Sequence, residues 1–210
     1  MVHNESLKRP GFFRALFLCF VSFLIFAFKM GPTRTVLSEE VFTLVKARLA
    51  FELIENHDDF ANTVLIGLQP RGVLLARTIK SFLEQELGKS LVYGELDITF
   101  FRDDFRQKNL IPSSTHIDFI TEGKKVILID DVMYTGRSVR AGLDAIQQFG
   151  RPSRIELMVL VDRRWSRETP VSPDYWGIQV DAVFNESIRL NWSESQNAAE
   201  VLLHTKHKID

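Results

Sequence analysis

Residues 126–138 read "VILIDDVMYTGRS". Four aliphatic residues run into two adjacent carboxylates, which repel each other and resist desolvation, so the pair calls for a partner that makes the arrangement worthwhile. If "YTGRS" turns from a strand into a helix starting near Arg137, then Thr135, Gly136, Arg137 and Ser138 offer N–H groups and hydroxyls around a helix N-terminus. That is an anion site, strongest for phosphate, and Gly136 lets the backbone come close. Asp130 and Asp131, one strand-end away, are poor phosphate ligands but good acceptors for the paired hydroxyls of a ribose. A sugar phosphate satisfies both halves. Two plainer readings stand beside it: a Mg²⁺-holding strand end of a nucleotide hydrolase, and a polar strand terminus without a ligand. Neither G-x-x-x-x-G-K-[ST] nor G-x-G-x-x-G occurs in the chain, which counts against a P-loop hydrolase and a dinucleotide fold.

The elements that must hold this stretch are legible on either side. Ser38 caps a helix with Glu39 and Glu40 in its first turn, and Val41, Leu44, Val45, Arg48, Leu49 and Glu52 follow at helical spacing. "TVLIG" (63–67) predicts a strand buried on both faces. "GLQPRG" is a turn, and "VLLARTIKSFLEQELG" a helix closed by Gly88. "LVYGELDITFF" (91–101) predicts a strand, and the charged segment after it is long enough to be functional. Val139, Leu143, Ile146 and Phe149 mark the helix after the acidic strand, and "RIELMVLVDRR" (154–164) predicts another buried strand. The remainder alternates like short strands with turns. Strands and helices in this order predict an α/β fold, a parallel sheet flanked by helices, with ligands at the carboxyl ends of the strands. Both "GLQPRG" and "DDVMYTGRS" fall at those ends.

Bulk properties narrow the class. The 210 residues suit one full domain, and the net charge of −1 gives no global attraction to nucleic acid or anionic membrane. One cysteine, Cys19, leaves neither an intrachain disulfide nor a cysteine-based metal site, and His3, His57, His116, His204 and His207 are scattered. Residues 1–29 differ from the rest: an apolar run from Ala15 to Phe28, broken by Ser22, follows Lys8, Arg9 and Arg14. The run is shorter than the roughly 20 residues that span a bilayer, and no small-x-small cleavage pattern follows it. It reads as a membrane anchor or retained signal, or as sequence upstream of a true start at Met30. The second reading is preferred, and it makes residues 30–210 a cytoplasmic domain; the first makes the protein membrane-associated.

The thirteen-residue string is similar to the 5-phosphoribosyl 1-diphosphate (PRPP) motif of type I phosphoribosyltransferases. Its Tyr-Thr-Gly-Arg form resembles that of the PyrR family, bifunctional pyrimidine-operon attenuation proteins with uracil phosphoribosyltransferase activity. "GLQPRGVLLA", "GELDITFFRDDF" and "GRPSRIELMVLVDRR" agree in order and spacing, over about Val36 to Val180. The resemblance implies a type I phosphoribosyltransferase fold with a small C-terminal hood, and synthesis of UMP and diphosphate from uracil and PRPP. It implies that Asp130 and Asp131 hold the ribose hydroxyls and, mainly through PRPP, Mg²⁺. Thr135, Gly136, Arg137 and Ser138 would wrap the 5-phosphate, with Val132, Met133 and Tyr134 also in the PRPP site and Gly67, Arg71 and Gly72 approaching the diphosphate. Residues 102–115 would form a flap, with Arg102 reaching the diphosphate; Asp103, Asp104, Arg106 and Lys108 also suit a solvated loop. Asp162 and Arg163 would lie near the base. The family pattern carries over as catalytic residues Asp130, Asp131, Arg71 and Arg102, in a homo-oligomer responsive to uridine nucleotides. Purine-using relatives often carry an aspartate just before the Thr-Gly pair; Tyr134 stands there, favouring a pyrimidine. RNA-dependent attenuation ranks below catalysis. The first helix offers only Lys46 and Arg48 against Glu39, Glu40, Glu52 and Glu55, with Phe51 where the family often has histidine. "VDRRWSRETP" departs from "VDRGHRELP" by an extra residue and a tryptophan. Arg154, Arg163, Arg164 and Arg167 would form a basic patch or line a subunit interface.

Overall fold

A computed structural model describes residues 30–103, 112–182 and 186–206; the apolar segment 1–29, Asp104, Arg106, Lys108 and His207 lie outside them. The chain enters on β1 (Met30–Leu37) and passes into α1 (Glu39–His57). Ser38 caps α1 as expected: its hydroxyl accepts from the Val41 N–H at 3.4 Å, and Glu39 and Glu40 occupy the first turn, where the helix dipole favours anions.

Five strands then form one parallel sheet: β2 (Thr63–Leu68), β3 (Tyr93–Leu96), β4 (Lys125–Met133), β5 (Arg154–Arg163) and β6 (Tyr175–Val180), in spatial order β3-β2-β4-β5-β6. Every residue of β2 is buried, as the unbroken "TVLIGL" run requires of a strand covered on both sides. Alternation along the strands divides the core in two. Leu65, Ile127, Ile129, Met158 and Leu160 meet α1 and α2 (Gly72–Leu87) on one face. Val64, Ile66, Leu68, Val126, Leu128, Leu157 and Val159 meet α3 (Arg137–Ile146) on the other. α2 stops at Gly88, whose φ of 65° supplies the left-handed cap.

Three expectations are corrected. The strand read over 91–101 is confined to Tyr93–Leu96, because the Asp97 carboxylate accepts from the Thr99 N–H (2.9 Å) and hydroxyl (2.6 Å) and turns the chain into a short 3-10 helix at Thr99–Phe101. The hood is not purely C-terminal: β7 (Glu186–Trp192) and β8 (Ala199–Lys206) are joined by β1 in an antiparallel sheet of order β1-β8-β7. β6, from the same alternating C-terminal run, instead completes the edge of the parallel sheet.

At the amino ends of the strands a buried polar cluster ties α1 to β5 and β6. Glu156 accepts from the Tyr175 hydroxyl (2.7 Å) and pairs with His57 Nε2 (2.9 Å), while Arg154 holds its other oxygen at 2.8 Å. Burial lowers the His57 pKa below 6.5, against the attraction of Glu156. Burial works to raise the Glu156 pKa, but the Tyr175 hydrogen bond and the His57 and Arg154 charges outweigh it and leave it lowered. Among the described residues no helix is long and apolar enough to cross a membrane.

Candidate active site

The sheet order reverses direction between β2 and β4: the chain leaves β2 toward β3 on one side and later takes up β4 on the other. Ligands in open α/β sheets bind outside the carboxyl ends of strands at such a point. Two connections meet there, Gln69–Arg71 leading into α2 and Tyr134–Gly136 leading into α3.

Asp130 and Asp131 lie inside β4, 8% and 6% exposed. The Asp131 N–H donates to Asp130 Oδ1 (2.9 Å) and the Val132 N–H to Asp131 Oδ1 (2.7 Å). Asp131 Oδ2 is buried without a hydrogen-bond partner, and Arg71, with a side chain 67% exposed, approaches it only to 4.0 Å. Burial, and after it the Asp131 charge, pushes the Asp130 pKa well above the ordinary aspartate range; burial also raises that of Asp131, with Arg71 opposing. An unmet buried acceptor beside a second acid suits hydroxyl donors or a cation. No group of three or more metal-ligating side chains forms among the described residues. The pair therefore fits a Mg²⁺ that brings most of its oxygens on a phosphorylated substrate, in the manner of sites using one or two carboxylates.

Gly72, the first residue of α2, makes this crevice narrow. A Cβ there would clash with the Ile129 carbonyl and sit 2.9 Å from Asp130 Cα, so only glycine lets α2 begin against the acidic strand end. Gly67, by contrast, is buried within β2, where a Cβ would stand 2.9 Å from Ala76 Cβ and Val73 Cα; its place is in the seating of α2 on the sheet.

The other loop carries the remaining predicted residues. Val132 packs toward the α1–α2 core and Met133 toward the α3 core. Gly136 takes φ 89° immediately before α3, placing Arg137 and Ser138 in the helix's first turn. Arg102 donates to the Ser138 hydroxyl at 2.7 Å, which ties the chain just after the 3-10 helix to this loop, and Asp103 pairs with Arg140 at 3.2 Å. Ser113 and Ser114 are held by Asp97, which also accepts from the Ser113 N–H (2.9 Å), and by Gln69, whose amide donates to the Ser114 carbonyl (2.6 Å).

Asp162 and Arg163 end β5 beside Met133, but their side chains turn inward. Asp162 is held by Arg167 and by Gln179 (3.2 Å). The Arg163 guanidinium lies 4.1 Å from the Tyr134 ring centroid and is 5% exposed as a residue. The connection after β5 returns over the second loop: Arg167 reaches the Met133 (3.2 Å), Tyr134 (2.7 Å) and Arg163 (3.1 Å) carbonyls. The Glu168 N–H donates to the Thr135 carbonyl at 2.9 Å, and the Glu168 carboxylate accepts from Arg137 Nε at 2.5 Å.

Residues 35–193 match the phosphoribosyl transferase domain family. The bifunctional protein PyrR of Desulfosudis oleivorans is 40% identical over 179 residues, 84% of this chain and 99% of that protein. The chain belongs to the PyrR family of phosphoribosyltransferases. The PyrR of Halalkalibacterium halodurans is 40% identical over 178 residues, covering 83% of this chain and 98% of its own. The pyrimidine operon regulatory protein of Lactococcus lactis subsp. cremoris is 42% identical over 156 residues, 74% of this chain and 88% of that one. Among solved structures, the hypoxanthine phosphoribosyltransferase of Trypanosoma cruzi superposes with a TM-score of 0.63 at 14% identity, over 83% of this chain and 97% of its own, a likeness of fold alone.

Within this PyrR-family fold, sequence reasoning missed Gln69, Asp97, Glu168 and Thr169. Asp97 carried a signal, an acid two residues before a threonine in "LDIT", as Asx turns require. Gln69, Glu168 and Thr169 act on backbone carbonyls, and Glu168 also through its carboxylate on Arg137, contacts that no residue pattern encodes.

Proposed function

We propose that this protein transfers the phosphoribosyl group of PRPP to uracil, forming UMP and diphosphate. The observation that carries the reading is the convergence at the β2–β4 switch point of Arg71 and Gly72 with Asp130, Asp131 and the Thr135–Ser138 loop, in a chain with 40% identity to proteins named PyrR. In this reading the unmet Asp131 oxygen and Asp130 accept from the ribose hydroxyls. The loop and the first turn of α3 hold the 5-phosphate through N–H groups and the Thr135 and Ser138 hydroxyls. The uracil nitrogen attacks C1 of the ribose, the bond from C1 to the diphosphate oxygen breaks with its electron pair leaving on the diphosphate, and the nitrogen's proton passes to solvent. Arg71 and Arg102 favour the leaving anion, and Mg²⁺ carried on PRPP supplies further charge neutralisation. In this reading the segment from Arg102 to Thr115 would serve as the flap that keeps water from C1. Tyr134, a neutral residue stacked against Arg163, stands on the base side together with the Asp162 end of β5, which suits a pyrimidine.

The test is turnover of labelled uracil with PRPP and Mg²⁺. UMP is the expected product; product with another base and none with uracil overturns the substrate assignment. The same reading makes the protein a cytoplasmic homo-oligomer, checked by fractionation and light scattering. A second reading, a pyrimidine-operon regulator that binds RNA, draws on the names of the relatives. It requires RNA affinity that rises on adding UMP or UTP. The charged face expected for it is weak here: Arg48 is engaged by Glu52 and by the Trp176 and Gly177 carbonyls, and Val41, Leu44 and Phe51 are exposed on the same helix.

A further inference from the structure

The four arginines at the start of β5 (Arg154) and at and after its end (Arg163, Arg164 and Arg167) do not form a free basic patch. Arg154 pairs with Glu156, Arg163 stacks on Tyr134, and Arg164 holds both oxygens of Asp181 at 2.7 Å. Arg167 is the unusual one. A single terminal nitrogen contacts the Met133, Tyr134 and Arg163 carbonyls, while the other binds Asp162. The next two residues extend the contact, since the Thr135 carbonyl accepts from the Glu168 N–H (2.9 Å), the Thr169 N–H (3.3 Å) and the Thr169 hydroxyl (3.3 Å). Three successive carbonyls of the loop, those of Met133, Tyr134 and Thr135, are thus all held from one side by residues 167–169.

This has a geometric consequence. A trans peptide is planar, with its N–H opposed to its C=O. Gln69–Pro70 is the cis bond found among the described residues, so the three loop peptides are trans. Holding their carbonyls toward the strap turns the N–H groups of Tyr134, Thr135 and Gly136 toward the opposite side. Successive N–H groups converging in a turn make an anion-binding concavity.

We propose that Arg167, seconded by Glu168 and Thr169, is a positioning residue for the 5-phosphate: it aims the amides of the phosphate loop without touching the substrate. The proposal rests on the phosphoribosyltransferase reading and adds to it a residue from outside the PRPP motif. Arginine is required because one planar guanidinium spans three carbonyls and a carboxylate, which a lysine ammonium, a compact point charge, does not.

The experiment compares UMP with uridine by calorimetry on the full chain, because the ratio of their affinities isolates the phosphate. Arg167→Lys keeps a cation beside the buried Asp162, which Arg167→Ala would strand. The expected result is a fall of about tenfold or more in the preference for UMP over uridine, the weight of hydrogen bonds to a charged group. Uridine affinity and Tm stay near wild type, and KM for PRPP rises by the same factor with kcat little changed. Thr169→Val, which removes a single donor and keeps the shape, lowers the preference about threefold and decides the matter if Arg167→Lys does not fold. Folded variants with the wild-type preference overturn the proposal alone. A wild-type protein indifferent to the phosphate overturns the phosphoribosyltransferase reading and this proposal with it.

Discussion

Replacing Gly72 by alanine tests whether the crevice depends on the close approach of α2 to β4. The added Cβ would lie under 3.0 Å from two backbone atoms, the Ile129 carbonyl oxygen and Asp130 Cα, and 3.2 Å from Asp130 Oδ1. Neither backbone atom is the end of a flexible side chain, so the helix start must move outward by roughly half an ångström in an interior packed like a crystal. Overpacking of this kind costs about 1–3 kcal/mol. For a chain of this size each kcal/mol lowers Tm by about 2–4 °C, which predicts a loss of about 2–12 °C. Arg71 precedes the displaced residue, so its guanidinium withdraws from the 4.0 Å approach to Asp131. Misplacement of about 1 Å costs on the order of a hundredfold in well-aligned chemistry, so the smaller shift predicts about tenfold in kcat/KM for PRPP. Gly88→Ala is the control: a Cβ there meets nothing within 4 Å, and only its φ of 65° is strained, at about 1–2 kcal/mol. Thermal melts and PRPP kinetics on both variants decide. A Gly72→Ala protein with wild-type Tm and kinetics would refute the argument that glycine is needed there.

Asp131→Asn raises the PRPP requirement steeply while raising Tm at pH 7. A carboxyl whose folded pKa lies above its ordinary 3.8 weakens the fold at neutral pH, and that penalty is relieved as pH falls through the raised value. The gain in Tm over wild type therefore shrinks on acidification; a gain that grows instead would contradict the sign. Arg137→Ala removes the ion pair with Glu168 and a charge beside the phosphate loop, so KM for PRPP rises with little change in Tm, since both side chains are about half exposed and the pair is worth less than 1 kcal/mol. Glu156→Gln weakens contacts to Tyr175, His57 and Arg154 and lowers stability by about 2–3 kcal/mol, with PRPP kinetics unchanged because the cluster sits at the other end of the sheet. His57 has a folded pKa below its unfolded 6.5, so its protonation erodes stability as pH falls below that value. Removing Glu156, which opposes that lowering, makes the loss relative to wild type steeper as pH falls below 6.5, as melts across pH will show.

The sheet and the two loops were legible because burial on both faces leaves unbroken aliphatic runs, as in β2, β4 and β5, and because a Gly-bearing turn after β2 and after β4 marks the carboxyl ends of those strands. β1 was not. "MGPTRTVL" carries glycine and proline at its second and third positions, and what makes it a strand is pairing with β8, whose residues lie more than 160 positions away. β6 could not be told from the hood strands because an edge strand is covered unevenly: Tyr175 and Val180 at its two ends are buried, the residues between are not, and its register with β5 is what places it in the parallel sheet. At the site, residue types gave the acids, the glycines and the arginines. They did not reveal that the Asp162 and Arg163 side chains are committed inward, since both are charged groups whose partners, Arg167, Gln179 and Tyr134, come from two different connections and from β6.

The buried acids of the sheet also separate structural from functional burial. Glu156 has both oxygens engaged and a pKa held below the usual value. Asp162, at the end of the same strand, has one oxygen on Arg167 and the other on Gln179. Evolution of a stable core requires nothing more of a buried carboxylate than such pairing. Asp130 and Asp131 are buried to a similar degree on the neighbouring strand, yet their pKa values are raised, and one oxygen of Asp131 has no hydrogen-bond partner. Apolar residues would serve the core better at both positions. An arrangement that weakens the folded state, confined to the point where the sheet order reverses, is intelligible if a ligand completes it, and a sugar diol or the cation carried with its phosphates supplies what those oxygens lack.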